Sequence, residues 1–226
     1  MIARIFVLGL ALCATAPSAT AAPITTLHST GTDGGGGADA HYSLVSAPSG
    51  YTTAFVVDQN NDFPFASHWA PGTYSPPGAP ASGWIAPTVD VNTTHPDGHY
   101  TYRTTFDLTG LNPATASIAG FLAADNAVDV YLNSALVAQM YAGSGYSFTS
   151  ASFAQQQLSI NGGFTAGLNT LEFKVYNEVQ ATGNPTGLRA ALAGTALPTP
   201  EPASAAALGF GVLAVARYIR RRRVTG

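Results

Sequence analysis

Apolar and polar residues alternate with a period of two along much of the second half of the chain, the pattern of strands with one buried face. Tyr100, Tyr102, Thr104, Phe106 and Leu108 fall on one face, and Thr101, Arg103, Thr105 and Asp107 on the other. Val128, Val130 and Leu132 alternate with Asp129, Tyr131 and Asn133. Leu171, Phe173 and Val175 alternate with Thr170, Glu172, Lys174 and Tyr176. Further strands are predicted at Thr53–Val57, Ser117–Leu122, Ala135–Met140, Gln157–Ile160 and Leu188–Ala193. Turn residues divide them: Gly110 to Pro113, Asp125-Asn126, Asn133-Ser134, Asn161-Gly162-Gly163 and Gly183 to Gly187. No stretch between the two ends keeps a helical period. Many short strands at this spacing predict an all-β fold, an antiparallel β-sandwich or jelly roll.

The two ends follow other rules. Arg4 and the α-amino group precede an apolar stretch from Ile5 to Leu12, and Ala19-Thr20-Ala21 has the small-x-small cleavage pattern. This reads as a signal peptide over residues 1–21, which engages the Sec export machinery. The single cysteine, Cys13, lies inside it, and Leu12 before it is too large for a lipoprotein cleavage site. Loss of Cys13 with the signal leaves a chain with no disulfide, no zinc–thiolate site and no cysteine nucleophile.

At the other end, Pro200-Glu201-Pro202 precedes an apolar run from Ala203 to Ala216, then Arg217 and the block Arg220, Arg221, Arg222 and Arg223. The prolines keep the first part extended. The apolar run would form a helix about 21 Å long at 1.5 Å per residue, short of the roughly 30 Å of bilayer hydrocarbon. Tyr218, Ile219 and snorkelling arginines extend its reach. The arginine block holds the end on the cytoplasmic side. In this order the three parts resemble the PEP-CTERM sorting signal. That resemblance implies recognition by an exosortase-type membrane sorting protein and delivery to the cell surface or the exopolysaccharide matrix, with residues 200–226 as the signal.

Between the ends, residues 22–199 suffice for one domain with a real core. Six of the nine basic residues lie in the tails, so the body keeps Arg103, Lys174 and Arg189 against eleven acids. The formal charge of −3 therefore conceals an acidic body near −8, which excludes nucleic acid as a partner.

The body also carries a resemblance. Tyr100-Thr-Tyr-Arg-Thr-Thr-Phe-Asp-Leu, then Ala123-Ala-Asp125-Asn126 with Val130-Tyr131-Leu132-Asn133, then Gly167-Leu-Asn169-Thr170-Leu171-Glu-Phe-Lys-Val-Tyr-Asn177 are similar to galactose-binding-domain-like jelly rolls. Sugar-binding modules attached to glycoside hydrolases use this succession, although Ser134 stands where a glycine is usual. The resemblance implies the fold over about Tyr100 to Ala196 and names no ligand.

Sugar binding needs flat aromatic faces and polar groups for hydroxyls. Trp69, Tyr74 and Trp84 lie in a Pro- and Gly-rich stretch that predicts a carbohydrate platform, or two tryptophans that plug one end of the sandwich. Asp125 and Asn126 are a second carbohydrate candidate, or an Asx-capped turn. Asp33 and Asp39 bracket a glycine run that forms a plain flexible loop, with no cofactor expected, or alternatively holds a structural calcium. His95-Pro-Asp97-Gly-His99 has ligand-like spacing, but its proline and glycine forbid the helix that usually makes such spacing a metal site. There is no Gly-x-Ser-x-Gly elbow, and pairs of carboxylates are too common here to signal a glycosidase. The expectation is an exported, non-enzymatic module binding extracellular polysaccharide. A structural or adhesive matrix protein is the alternative, and a glycoside hydrolase the weakest.

Overall fold

A computed structural model describes residues 19–32, 35–57, 82–90, 93–140, 157–179 and 183–200. They form eleven strands in two antiparallel sheets. The strands are β1 (Ala22–Pro23), β2 (Ser43–Ser46), β3 (Phe55–Val56), β4 (Ile85–Ala86), β5 (Gly98–Asp107), β6 (Ser117–Asp125), β7 (Ala127–Leu132), β8 (Ala135–Met140), β9 (Gln157–Ile160), β10 (Leu168–Asn177) and β11 (Gly187–Ala196). One sheet has the order β3-β4-β11-β6-β9, with β1 also pairing β11; the other has the order β2-β5-β10-β7-β8. The chain crosses between them at nearly every step from β5 to β11, with only the β7–β8 hairpin staying in one sheet.

Alternation decides which residues face inward. Tyr100, Tyr102 and Phe106 of β5, Val128, Val130 and Leu132 of β7, and Leu171, Phe173 and Val175 of β10 are buried. They share one cluster with Ile118, Leu122 and Ala124 of β6 and Leu188, Ala190 and Leu192 of β11. At roughly 25 cal/mol per Å² of apolar surface removed from water, this interior is the main stabilising term of the sandwich. Gly120 is required here, because a Cβ would lie 2.7 Å from the Ala191 carbonyl oxygen and 2.8 Å from Leu192 Cδ2.

The β7–β8 hairpin turns on Asn133 and Ser134, at φ of 50° and 70°. Left-handed conformations at both central positions define the turn whose twist suits a hairpin. Asn133 enters that region readily, while Ser134 is held there at a cost of about 1 kcal/mol. Side-chain hydrogen bonds compensate: Asn133 Nδ2 donates to the Gly163 carbonyl oxygen (3.0 Å), and the Thr170 backbone amide donates to Asn133 Oδ1 (3.0 Å).

The structure extends two predicted strands. β6 runs on to Asp125 and β11 runs from Gly187 to Ala196, because Ala123, Ala124, Ala190 and Ala191 are buried whichever way they point. With both faces covered, the alternation that marks a strand disappears. Among the described residues no helix is long and apolar enough to cross a membrane, and the apolar run from Ala203 lies outside them.

Candidate functional site

The inward residues of β5, β10 and β7 fix what the same strands show to solvent. Register sets three adjacent outward rows. His99 stands opposite Tyr176, which stands opposite Ala127; Thr101 opposite Lys174, which stands opposite Asp129; Arg103 opposite Glu172, which stands opposite Tyr131. On β8, Gln139 faces Asp129 and its Nε2 donates to Asp129 Oδ1 at 3.0 Å. The small side chain of Ala127 beside Tyr176 leaves a depression of about 270 Å³, lined by His99, Ala127, Val128, Asp129, Lys174 and Tyr176.

The chemistry of this face is mixed. Tyr176 is 40% exposed, and its ring lies 5.2 Å from that of His99 at 46°. Partial desolvation, followed by the nearby Lys174 charge, lowers the His99 pKa, against an opposing pull from Asp129. This shift favours the neutral imidazole, in which one nitrogen donates and the other accepts. Arg103 and Glu172 are committed to each other: Arg103 Nε donates to Glu172 Oε1 at 2.7 Å, in an exposed ion pair worth at most about 1 kcal/mol. Lys174 makes no hydrogen bond or ion pair among the described residues.

The residues expected from sequence to bind ligands lie elsewhere. Trp69, Tyr74 and Asp33 fall outside the described residues, as do Glu201, Pro202, Arg220, Arg221, Arg222 and Arg223; Pro200 is exposed at the last described position. Trp84 is 7% exposed just before β4, buried rather than open to solvent. Asp39 is buried, and its carboxylate accepts from the backbone amides of Gly31 (2.7 Å), His41 (2.8 Å) and Tyr42 (3.0 Å). It pins the loop to the start of β2. Gly31, at φ +63°, lies against Gly83, where a Cβ would come within 2.7 Å of the Gly83 Cα.

Asp125 and Asn126 are also buried, at the joint where the chain passes from β6 in one sheet to β7 in the other, across a cis peptide bond. Neither presents a surface to a polysaccharide. Asn126 is a brace rather than a local turn cap. Its amide donates to the Tyr176 carbonyl oxygen (2.6 Å), and its Oδ1 accepts from the Glu178 amide (2.7 Å). It thus holds the end of β10 that carries Tyr176. Neither Asp125 carboxylate oxygen has a hydrogen-bond partner among the described residues, and burial pushes the Asp125 pKa up to about 7.

His95 and His99 occupy different surroundings. His95 is buried with Nε2 3.2 Å from Thr88 Oγ1, whereas His99 is on the open face. Among the described residues no three histidine, cysteine, aspartate or glutamate side chains gather as metal ligands.

Of the polar and aromatic residues on this open face, Asp129, Lys174 and Tyr176 are outward members of strands whose alternation the sequence shows, whereas His99 precedes the alternation that begins at Tyr100 and reads there as part of a turn. What the sequence lacked was the register that sets them side by side.

No family model and no curated protein matches the chain. Among solved structures it is similar to a family 35 carbohydrate binding module from an environmental isolate, at 13% identity and a TM-score of 0.26, covering 58% of this chain and 84% of that one. It is also similar to a GH31 alpha-xylosidase from Xanthomonas citri, at 8% identity and a TM-score of 0.21, covering 44% of this chain and 12% of that one. Overlaps this small leave the fold to be read from the chain's own sheets.

Proposed function

We propose that this chain is an exported, non-catalytic carbohydrate-binding module of the galactose-binding-domain-like kind, and that it binds polysaccharide on the outer face of β5, β10 and β7. The observation that carries the reading is the exposed Tyr176 ring beside Lys174, Asp129 and His99, in a depression on a rigid sheet. An exposed tyrosine offers a flat apolar face to the C–H side of a pyranose at small conformational cost. The flanking donors and acceptors satisfy hydroxyls that would otherwise lose water.

The test is co-sedimentation of the detergent-solubilised full chain with insoluble polysaccharides. Tyr176→Ala is expected to lower retention about tenfold, the weight of one aromatic contact of about 1.4 kcal/mol. Its melting temperature should hold, since the side chain is well exposed. Retention equal to the parent would overturn this site and favour a structural matrix protein.

The chain ends supply the address in this reading: a signal peptide for Sec export, and Pro200-Glu201-Pro202 with its arginine block for an exosortase-type partner. Glu201→Ala, or removal of Arg220 to Arg223, should leave uncut precursor in the inner membrane. Normal release from either variant would sink the sorting assignment.

A further inference from the structure

Lys174 and Asp129 stand directly opposite each other on neighbouring strands, yet among the described residues Lys174 takes part in no ion pair. Together they line the floor of the depression beside the exposed ring of Tyr176. An ammonium can only donate and a carboxylate can only accept. Two such groups on adjacent strands, about 5 Å apart at Cβ, match a pair of neighbouring hydroxyls, one accepting from Lys174 and the other donating to Asp129. Tyr176, one residue pair along β10, takes the ring face.

We infer that this site, if it binds sugar as proposed above, reads a vicinal diol on a neutral hexose unit. Lys174 and Asp129 clamp the two hydroxyls while Tyr176 stacks on the sugar ring.

Charge fixes the neutral part of the inference. The body carries three basic residues against eleven acids, and Arg189 is buried while Arg103 is tied to Glu172. A single lysine facing an aspartate gives no net attraction for a polyanion. The remaining acids repel one over about 10 Å at 0.1 M salt.

Linkage makes the diol part sharp. An internal hexose of a (1→4)-linked chain keeps neighbouring hydroxyls at carbons 2 and 3. An internal hexose of a (1→3)-linked chain has free hydroxyls at carbons 2, 4 and 6, with no adjacent pair. The experiment titrates the detergent-solubilised full chain with long polysaccharides matched in sugar and anomeric form: (1→4)- against (1→3)-β-glucan, and (1→4)- against (1→3)-β-galactan. The (1→4)-β-glucan oxidised at carbon 6, a β-linked polyglucuronate, provides the acidic arm.

At least tenfold tighter binding is expected for one (1→4) member over its (1→3) partner. Lys174→Met and Asp129→Ala should each remove that preference while leaving the weak stacking shared by both linkages. The polyglucuronate should bind more weakly than the neutral (1→4)-β-glucan at low salt. Equal binding of both linkages overturns the diol clamp and leaves the sugar site standing, as does a preference that survives both substitutions. Tighter binding of the polyglucuronate overturns the neutral part. Failure of every polysaccharide overturns the proposed function itself.

Discussion

Asn169→Leu should destabilise the sandwich by about 3 kcal/mol or more, although leucine is apolar and close in size. Asn169 is fully buried at the start of β10 and every polar atom it has is used. Its Nδ2 donates to the Thr165 and Gly167 carbonyl oxygens, each at 2.8 Å. Its Oδ1 accepts from the Thr165 amide (2.8 Å), the Thr165 hydroxyl (3.2 Å) and Asn133 Nδ2 (2.8 Å). One side chain thus closes the loop before β10 and fastens it to the β7–β8 turn. Leucine would strand several of those partners, at about 1–3 kcal/mol for each one left buried without replacement. In a domain of this size that lowers the melting temperature by roughly 6–12 °C. Thermal and denaturant unfolding measure it directly. A loss under about 1 kcal/mol would mean that water replaces the asparagine and that the loop is not held by it. Asn133→Ala should cost less, because it removes the turn's share of the network and leaves the contacts of Asn169 with Thr165 and Gly167 intact.

That network explains why part of the fold was legible. Gly167-x-Asn169-x-Leu171 looked architectural in the sequence, and each position has a distinct role in the structure. Gly167 turns at φ 74°, Asn169 locks the loop, and Leu171 enters the core. Strands with one face in water announced themselves by alternation. Ala135–Met140 and Gln157–Ile160 have the predicted limits. Where both faces are covered, the signal fails. The buried run Ala123-Ala124-Asp125 and the alanines of β11 carry no period, so β6 and β11 read short.

The pieces Ser43–Ser46 and Ile85–Ala86 went unread because the first buries only Leu44 and the second is two residues long, so neither carries an alternation. The open face of β5, β10 and β7 is hard to read from sequence for a different reason. Tryptophans draw attention by type, but Trp84 is buried. Tyr176, Lys174 and Asp129 draw none until the antiparallel register, which depends on residues far apart in sequence, places them side by side.

Asp125→Asn should make the protein more stable at pH 8 and change it little at pH 4. In the folded chain burial raises the Asp125 pKa to about 7, and no hydrogen bond from the described residues offsets its carboxylate's loss of water. In the unfolded chain the group titrates near the ordinary value of about 3.9. Below both values the acid is protonated in both states, and burying it neutral is tolerable. Between about 4 and 7 the unfolded chain has given up its proton while the folded chain keeps it, so folding takes up a proton and stability falls as pH rises. Above about 7 both states are ionised and the penalty is constant. At 1.36 kcal/mol per pKa unit, three units give an upper figure of about 4 kcal/mol. Asparagine keeps the shape and carries no charge, so it escapes that loss. His95, whose pKa burial lowers, pulls stability the other way as pH falls, but it does so in both proteins. The stability difference between variant and parent isolates Asp125. It should open from pH 4 to pH 7 and then level off. A gap that stays constant across pH 4 to 8 would mean that the Asp125 carboxylate is as well solvated in the folded chain as in the unfolded one.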